Sequence, residues 1–320
     1  MRVLHVVNAW PSPEFPIRGV FIQEQIVSLA PYVDEQDTFV ISGKAHAKYL
    51  TNLLRLRRCV GGYDIVHAHH VLSALLAVGA GVPRRKLVIS FLNEKGKNLL
   101  RVPTWVSESL ENFVARRSAA CIFKNNSFKH IRREQDLVLG NAVDSDRFAL
   151  RPREEARTRL GLDRDATYLL FVSANDLLRP AKRYDRFLQI LDELAARKQL
   201  VRPLCLVNEP RENVPWYFAA ADALIVCAEH EGSPNSVKEA LASGVPVVST
   251  DVGDVRDQIS GVPGSRVLTE FSPGEFTDAV VSAISDATPR AVRREAYLQR
   301  APGKESVAQR LAATYAAVTG

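Results

Sequence analysis

Two carboxylates frame the most chemically suggestive stretch of this 320-residue chain. Glu231 and Glu239 flank Gly232, Ser233, Pro234, Asn235 and Ser236, with seven residues between the two acids. An ionised carboxylate accepts paired hydrogen bonds from vicinal hydroxyls, the pattern that a sugar or a ribose presents. The residues between the acids offer backbone N–H groups, and such groups at a helix start attract phosphate. Ser236-x-x-Glu239 reads equally well as a capping box, in which Glu239 would only close the first helical turn. Spacing alone leaves both readings open. Arg179 and Lys182 are a second candidate pair, in a polar segment after an apolar run. Fixed cations there would stabilise the negative charge that builds on a leaving diphosphate, without a metal. The plain alternative is that they are solvated loop charges.

The elements that must position these groups are legible. Ala223 to Ala228 is a continuous apolar run, as in a strand buried on both faces. Ser236 to Ser243 places Val237, Ala240 and Leu241 at helical spacing, and Gly244 with Pro246 stops the helix. Val245 to Thr250 is a second strand. The polar loop therefore lies at the carboxyl end of a strand in a βαβ unit, where ligands sit in open parallel sheets. Tyr168 to Ser173 is a strand leading into Ala174–Arg183, and Tyr184 to Arg197 is an amphipathic helix. Leu204 to Val207 is a shorter strand candidate, and residues after Ser285 read as a basic connector before a terminal helix at about 305–318.

The first half alternates in the same way. Strands are expected at Val3–Asn8, Thr38–Ile41, Asp64–His67, Lys86–Phe91 and Ala120–Phe123. Helices are expected at Val20–Ala30, Ala45–Cys59, Val71–Val78 and Trp105–Arg117. The fold class is α/β: two Rossmann-like doubly wound parallel-sheet domains facing a cleft. The bounds are 1–150 and 151–320, with the terminal helix packing back on the first domain.

Apolar residues make up 46% of the chain and charged residues 24%, ordinary for a soluble globular protein. No apolar run reaches the roughly 18 residues of a membrane span, and the N-terminus lacks a signal-peptide pattern, so the expectation is a cytoplasmic protein. Cys59, Cys121, Cys205 and Cys227 are scattered and read as reduced, supporting neither disulfide nor metal. Residues 1–150 hold 20 Lys and Arg against 13 Asp and Glu, a net of +7, leaving the remainder at −1 of the +6 total. Clusters such as Arg84/Arg85/Lys86, Lys95/Lys97/Arg101 and Lys124/Lys129/Arg132/Arg133 are solvated faces, or they meet an anionic membrane surface or an anionic acceptor. Aromatics do not interleave with them, which argues against nucleic acid. Neither G-x-G-x-x-G after the first strand nor a P-loop is present, which removes the best support for nicotinamide dehydrogenase and NTPase readings.

The stretch HEGSPNSVKEALASGVPVVSTDVGDV resembles the donor-site signature of the retaining family 4 glycosyltransferases of GT-B fold. Five further segments agree in order: RGVFIQEQIVSLA, YDIVHAHH, VLGNAVDSDRF, LLFVSANDLLRPAKRYDRFL and VPWYFAAADALIV. The resemblance implies that Glu239 holds the ribose hydroxyls of a nucleotide and that Glu231 contacts the transferred sugar. Gly232, Ser233, Pro234, Asn235 and Ser236 would meet the donor sugar and phosphates. Arg179 and Lys182 would bind the diphosphate, and Gly19 would approach it. The donor would be a nucleotide diphosphate sugar, with no other cofactor and no metal. The acceptor would be a glycan or lipid-linked hydroxyl in surface polysaccharide or glycolipid synthesis, with the enzyme peripheral on the inner face of the cell membrane.

The chain departs from the family pattern in places. Leu92 or Asn93 stands where the family commonly has a His, so that sugar contact is either missing or made by Asn93 or Glu94. The link between Leu206 and Val214 is short, on the side where the family binds the base. Asn141-Ala142-Val143-Asp144 lacks the family's Gly after Asn. Asp144-Ser145-Asp146 and Asp163-Arg164-Asp165 match the short D-x-D metal pattern, but their settings read as solvated surface. His67, His69 and His70 read as structural. Two alternatives follow from the departures and the fold: a degenerate, non-catalytic partner subunit, and a nucleotide-sugar epimerase.

Overall fold

The computed structural model describes residues 1–43, 47–99, 102–128, 132–173 and 176–320, with backbone alone for 47–49. Expectations placed on Ala45, Arg101, Lys129, Ala174 and Asn175 lie outside the described residues. The chain divides into two units: Met1–Pro11, Gly19–Asn141 and Lys304–Gly320 in one, Ser12–Arg18 and Ala142–Gly303 in the other. Each is thus discontinuous, where the sequence reading drew one boundary near 150.

The first unit is built on β1 (Arg2–Val7), β2 (Glu35–Val40), β3 (Ile65–His69), β4 (Leu87–Phe91), β5 (Ala120–Phe123) and the two-residue β6 (Leu137–Val138). Their order is β2-β1-β3-β4-β5-β6, and every pair is parallel. Helices α1 (Val20–Leu29), α2 (Ala47–Cys59), α3 (Val71–Gly79) and α4 (Thr104–Arg116) connect the strands. Successive side chains of a strand face opposite ways. Leu4, Val6, Val66, Ala68, Leu87 and Ile89 accordingly join Ala74, Ala77 and Val114 from α3 and α4 in one core layer.

The second sheet has β7 (Thr167–Ser173), β8 (Val201–Val207), β9 (Ala223–Val226), β10 (Val247–Thr250) and β11 (Arg266–Leu268), ordered β11-β10-β9-β7-β8 and again parallel. Its helices are α5 (Arg153–Arg159), α6 (Tyr184–Ala196), α7 (Val214–Ala220), α8 (Asn235–Ala242), α9 (Val255–Ile259), α10 (Pro273–Ser285) and α11 (Arg290–Leu298). One face carries Leu170, Leu224 and Val247 against Phe218 of α7 and Val237, Ala240 and Leu241 of α8. The other carries Leu169, Phe171, Ile225 and Val248 against Phe187 and Ile190 of α6 and Phe276 and Val280 of α10. Ile17 packs on the first of these cores, and Asn208 Nδ2 donates to the Glu14 carbonyl at 3.2 Å, which is why residues 12–18 group with this unit.

Three elements extend or add to the sequence reading. β8 begins at Val201 and runs through Pro203. Proline removes a ladder donor, which an edge strand tolerates, and β8 is at the edge. The charged segment at 153–159 is α5, begun by Pro152 with Glu154 and Glu155 in its first turn. The basic connector contains α11. The terminal helix α12 (Lys304–Thr319) belongs to the first unit, with Val307, Ala308, Leu311 and Tyr315 buried. Cys121 and Cys227 are buried, Cys59 and Cys205 half-buried, and all four are free thiols. Among the described residues no helix is long and apolar enough to cross a membrane.

Candidate active site

In the second sheet the winding reverses between β7 and β9, because β8 lies outside β7 while β9 and β10 run the other way. Such a switch point opens a crevice at the strands' carboxyl ends. Lys182 closes a short 3-10 turn, Pro180–Lys182, after β7; Glu231 lies in the loop after β9. Lys182 Nζ stands 2.7 Å from Glu231 Oε1, with the side chains only 15% and 19% exposed. Two residues almost fifty positions apart thus meet at the switch point. The turn and the loop are tied together beside them. The Glu229 N–H donates to the Ala181 carbonyl at 3.0 Å, and Arg183 pairs with both Asp185 and Glu229. Arg183 takes the left-handed backbone conformation at φ 55°, which reverses the chain into α6. Arg179 is not drawn into this pair: it is exposed at the head of the turn and takes no side-chain partner among the described residues.

The start of α8 removes the capping-box reading of Glu239. The cap is Pro234, in extended conformation, and no side chain caps the helix. Asn235 is the first helical residue and Ser236 the second, so Ser236 does not hold the cap position that a capping box requires. Glu239 lies about one turn in, 6% exposed. Its Oε1 accepts from Arg211 Nη1 at 2.7 Å. Arg211 escaped the sequence reading, since a lone arginine in a short polar link carries no motif.

A buried ionic cluster underlies the loop. Lys238 Nζ donates to Ser233 Oγ, and Ser233 Oγ donates to Asp254 Oδ2 at 2.6 Å. Gln258 Nε2 donates to the other oxygen of Asp254. Burial pushes the Lys238 ammonium down to about 8, against the opposing pull of Asp254 and Glu239. Burial also raises Asp254, with Lys238, Ser233 and Gln258 working the other way. Gly253 packs directly on the loop. A Cβ there would come 2.6 Å from the Gly232 carbonyl oxygen, at a backbone φ of +57°.

The first unit has its own switch point, between β1 and β3. Register places His5 beside His67 and His69 beside Ser90, so all four share one face. His5 Nδ1 meets His69 Nε2 at 3.1 Å, and His67 bridges Ser90 Oγ at 2.8 Å and Tyr315 OH of α12 at 2.5 Å. One nitrogen from each of these three histidines falls within 4.8 Å of the others, the spacing of a metal cluster. Both nitrogens of His67 already have partners, however, and Lys124 adds positive charge beside the rings. Burial holds His5 down to about 4 and His67 and His69 well below the ordinary imidazole range. We read a neutral, packed polar core.

His70 follows β3 at φ 102°, a strained conformation for a residue with a side chain. Its ring meets the Asn98 carbonyl at 2.7 Å and Asn8 Nδ2 at 3.4 Å. Asn93 and Glu94 lie half-buried on the next loop. That loop is organised by two groups the sequence did not flag. Asn98 Oδ1 accepts from the N–H groups of Leu92 and Asn93, each at 3.1 Å. The fully buried Glu111 carboxylate accepts from Gly96 N at 2.9 Å, from Asn98 Nδ2 at 3.2 Å and from Ser107 Oγ at 2.8 Å. Gly19 caps α1 at φ 74°; a Cβ there would lie 2.5 Å from the Ala9 carbonyl oxygen. The D-x-D acids serve local structure: Asp144 Oδ1 accepts from the Arg147 N–H, and Asp163 pairs with Arg202 at 3.0 Å.

Residues 166–286 match the family Glycosyl transferases group 1. The chain is 26% identical to D-inositol 3-phosphate glycosyltransferase 1 of Catenulispora acidiphila, over 82% of this chain and 74% of that protein. It is 22% identical to D-inositol 3-phosphate glycosyltransferase of Thermobispora bispora, over 93% and 80%. Among solved structures, Anabaena HepE in complex with UDP and glucose superposes with a TM-score of 0.74 at 15% identity, over 99% of this chain and 100% of that one. Sucrose-phosphate synthase from Thermosynechococcus elongatus superposes with a TM-score of 0.68 at 12% identity, over 100% and 96%. The two parallel-sheet α/β units are those of the GT-B fold.

Proposed function

From the premise that residues 166–286 carry the glycosyl transferases group 1 family, we propose that this glycosyltransferase moves a hexose from a nucleotide diphosphate sugar to an acceptor hydroxyl, with retention at the anomeric carbon and without a metal. The observation that carries the reading is the Lys182–Glu231 pair at the β7/β9 switch point. Lys182 and Arg179 provide positive charge for the departing diphosphate, the role a divalent cation would otherwise fill. Glu231 accepts hydroxyls of the sugar, and Glu239 accepts the vicinal hydroxyls of the ribose. Gly19 approaches the diphosphate, and Asn93 or Glu94 contacts sugar or acceptor. The bond from the anomeric carbon to the diphosphate oxygen breaks, and the bond to the acceptor oxygen forms on the same face. The acceptor proton passes to the departing phosphate oxygen, so the reaction needs no protein base.

The acceptor we favour is anionic. Two facts support it: the net +7 of residues 1–150, and relatives named for inositol 3-phosphate. A lipid-linked glycan at an anionic membrane surface is the second reading, favoured by the same charge. Incubation of UDP-, GDP- and ADP-sugars with inositol 3-phosphate or a lipid-linked acceptor, in excess EDTA, separates them by product. Lys182→Met should lower kcat about 10²- to 10³-fold, the cost of removing one fixed charge from a transition state. Turnover of donor without acceptor would point to the epimerase. Unchanged activity in Lys182→Met, or none in any protein, would overturn the catalytic assignment in favour of a non-catalytic subunit.

A further inference from the structure

The link from β8 to α7 is only six residues, Asn208 to Asn213, yet it is firmly held. Asn208 adopts φ 51° and donates to the Glu14 carbonyl. Glu209 accepts from Tyr217 OH at 2.8 Å and from Asn213 Nδ2 at 3.3 Å, clamping the link onto α7 from both sides. Arg211 projects from this clamped turn. Its guanidinium lies 5.0 Å from the ring centroid of Phe148, which is itself fully buried and edge-on to Phe218 at 5.7 Å. From there Nη1 reaches Glu239 Oε1 at 2.7 Å. A flat cation seated on a ring is restricted to few orientations, so its fork fixes the carboxylate it bonds.

We propose that Arg211 is a positioning residue for the donor's ribose. Its bond at 2.7 Å and its seat on Phe148 hold the buried Glu239 carboxylate in the one orientation in which it meets two vicinal hydroxyls. The inference rests on the reading that Glu239 receives the ribose. Without that bond, the carboxylate, only 6% exposed, loses the contact that fixes its rotamer.

The test is discrimination between ribose and deoxyribose, measured by calorimetry with UDP, GDP and ADP and their 2′-deoxy counterparts. Wild type should bind its preferred nucleotide about 10- to 100-fold more tightly than the deoxy form, the worth of one hydrogen bond to a charged group. Arg211→Met should reduce that ratio to about threefold or less and raise the donor KM more than it lowers kcat. Arg211→Lys, which keeps the charge, should recover part of the ratio, and this rescue separates positioning from a general loss of fold. Retention of the full ratio in Arg211→Met, while Glu239→Gln abolishes it, would overturn the role of Arg211 alone. Retention in Glu239→Gln, or no binding by wild type, would overturn the ribose reading and this inference with it.

Discussion

Lys238 should make the stability of this protein rise with pH in a window set by its burial. Its ammonium is buried beneath the loop between Glu231 and Asn235 and pushed from 10.5 down to about 8, chiefly by burial. In the unfolded chain the same group holds its proton up to about 10.5. Between those values the unfolded state binds more protons, so raising the pH favours the folded state. Below about pH 8 both states are charged and the full cost of burying the charge remains. The gap between those values is worth about 3 kcal/mol in all, and about 2 kcal/mol of it should have appeared by about pH 9.5. The perturbation is Lys238→Met, which keeps the length of the side chain and removes the titrating group. Urea unfolding of both proteins at about pH 7 and about pH 9.5 gives the difference in stability at each. Tyrosine and cysteine groups that burial pushes upward titrate nearby, but they are common to both proteins and cancel. Lys238→Met also strips Asp254 of its nearest cation, so the variant's stability at one pH is not diagnostic; the change with pH is. A wild-type-minus-variant difference that stays constant within about 0.5 kcal/mol over this range would refute a buried, depressed ammonium at Lys238.

Two further outcomes are expected. Gly253→Ala forces a Cβ against the Gly232 carbonyl in a left-handed conformation, and should cost about 1–3 kcal/mol in urea unfolding while raising the donor KM through the displaced loop. Tyr315→Phe removes the hydroxyl paired with His67 Nδ1 in the first unit, and should destabilise the protein by about 1–3 kcal/mol because the ring nitrogen is left buried and unsatisfied; an unchanged denaturation midpoint would argue that His67 needs no partner there.

What the sequence revealed and what it hid divide along a physical line. Buried parallel strands announce themselves as apolar runs, so the β9–α8–β10 unit and the loop carrying Glu231 were legible from residue order. Lys182 and Glu231 were each placed at a strand end, but their ion pair came only from the structure, because residue order does not say which strand ends are neighbours. Charge was misread wherever arginine serves the backbone. Residues 290–298 look like a solvated basic connector, yet they form a helix whose arginines turn inward. Arg290 donates to the carbonyls of Ala219 and Ala221, and Arg293 to those of Pro263 and Asp286. Arg294 donates to those of Ser145, Phe148 and Ala242. Periodicity treats every arginine as polar surface, whereas five donors on a planar fork are well suited to loose carbonyls at loop and helix ends. The capping box failed for a related reason. Its motif specifies spacing, but the helix is capped at Pro234, two residues before Ser236, which moves Ser236 off the cap.

The pairing of charges around the loop bears on how the proposed reaction would work. Lys182 is matched by Glu231, Arg211 by Glu239, and Arg183 by Asp185 and Glu229. A leaving nucleoside diphosphate brings at least two negative charges. Among the described residues beside the loop, positive field not already balanced by a carboxylate comes from Arg179 and the N-terminal end of α8, the latter worth about half a unit charge. On the proposed reading Lys182 must therefore exchange partners as the diphosphate arrives. As its ammonium turns to the phosphate, the Glu231 carboxylate is released to accept hydroxyls of the sugar. One ion pair then serves both halves of the donor, with neither charge bare in a half-buried site, where an uncompensated charge is costly. The same logic makes Arg179 more important than its exposed, unpartnered position suggests. Among the described residues beside the switch point, it is a cation that a diphosphate can engage without first breaking an existing pair.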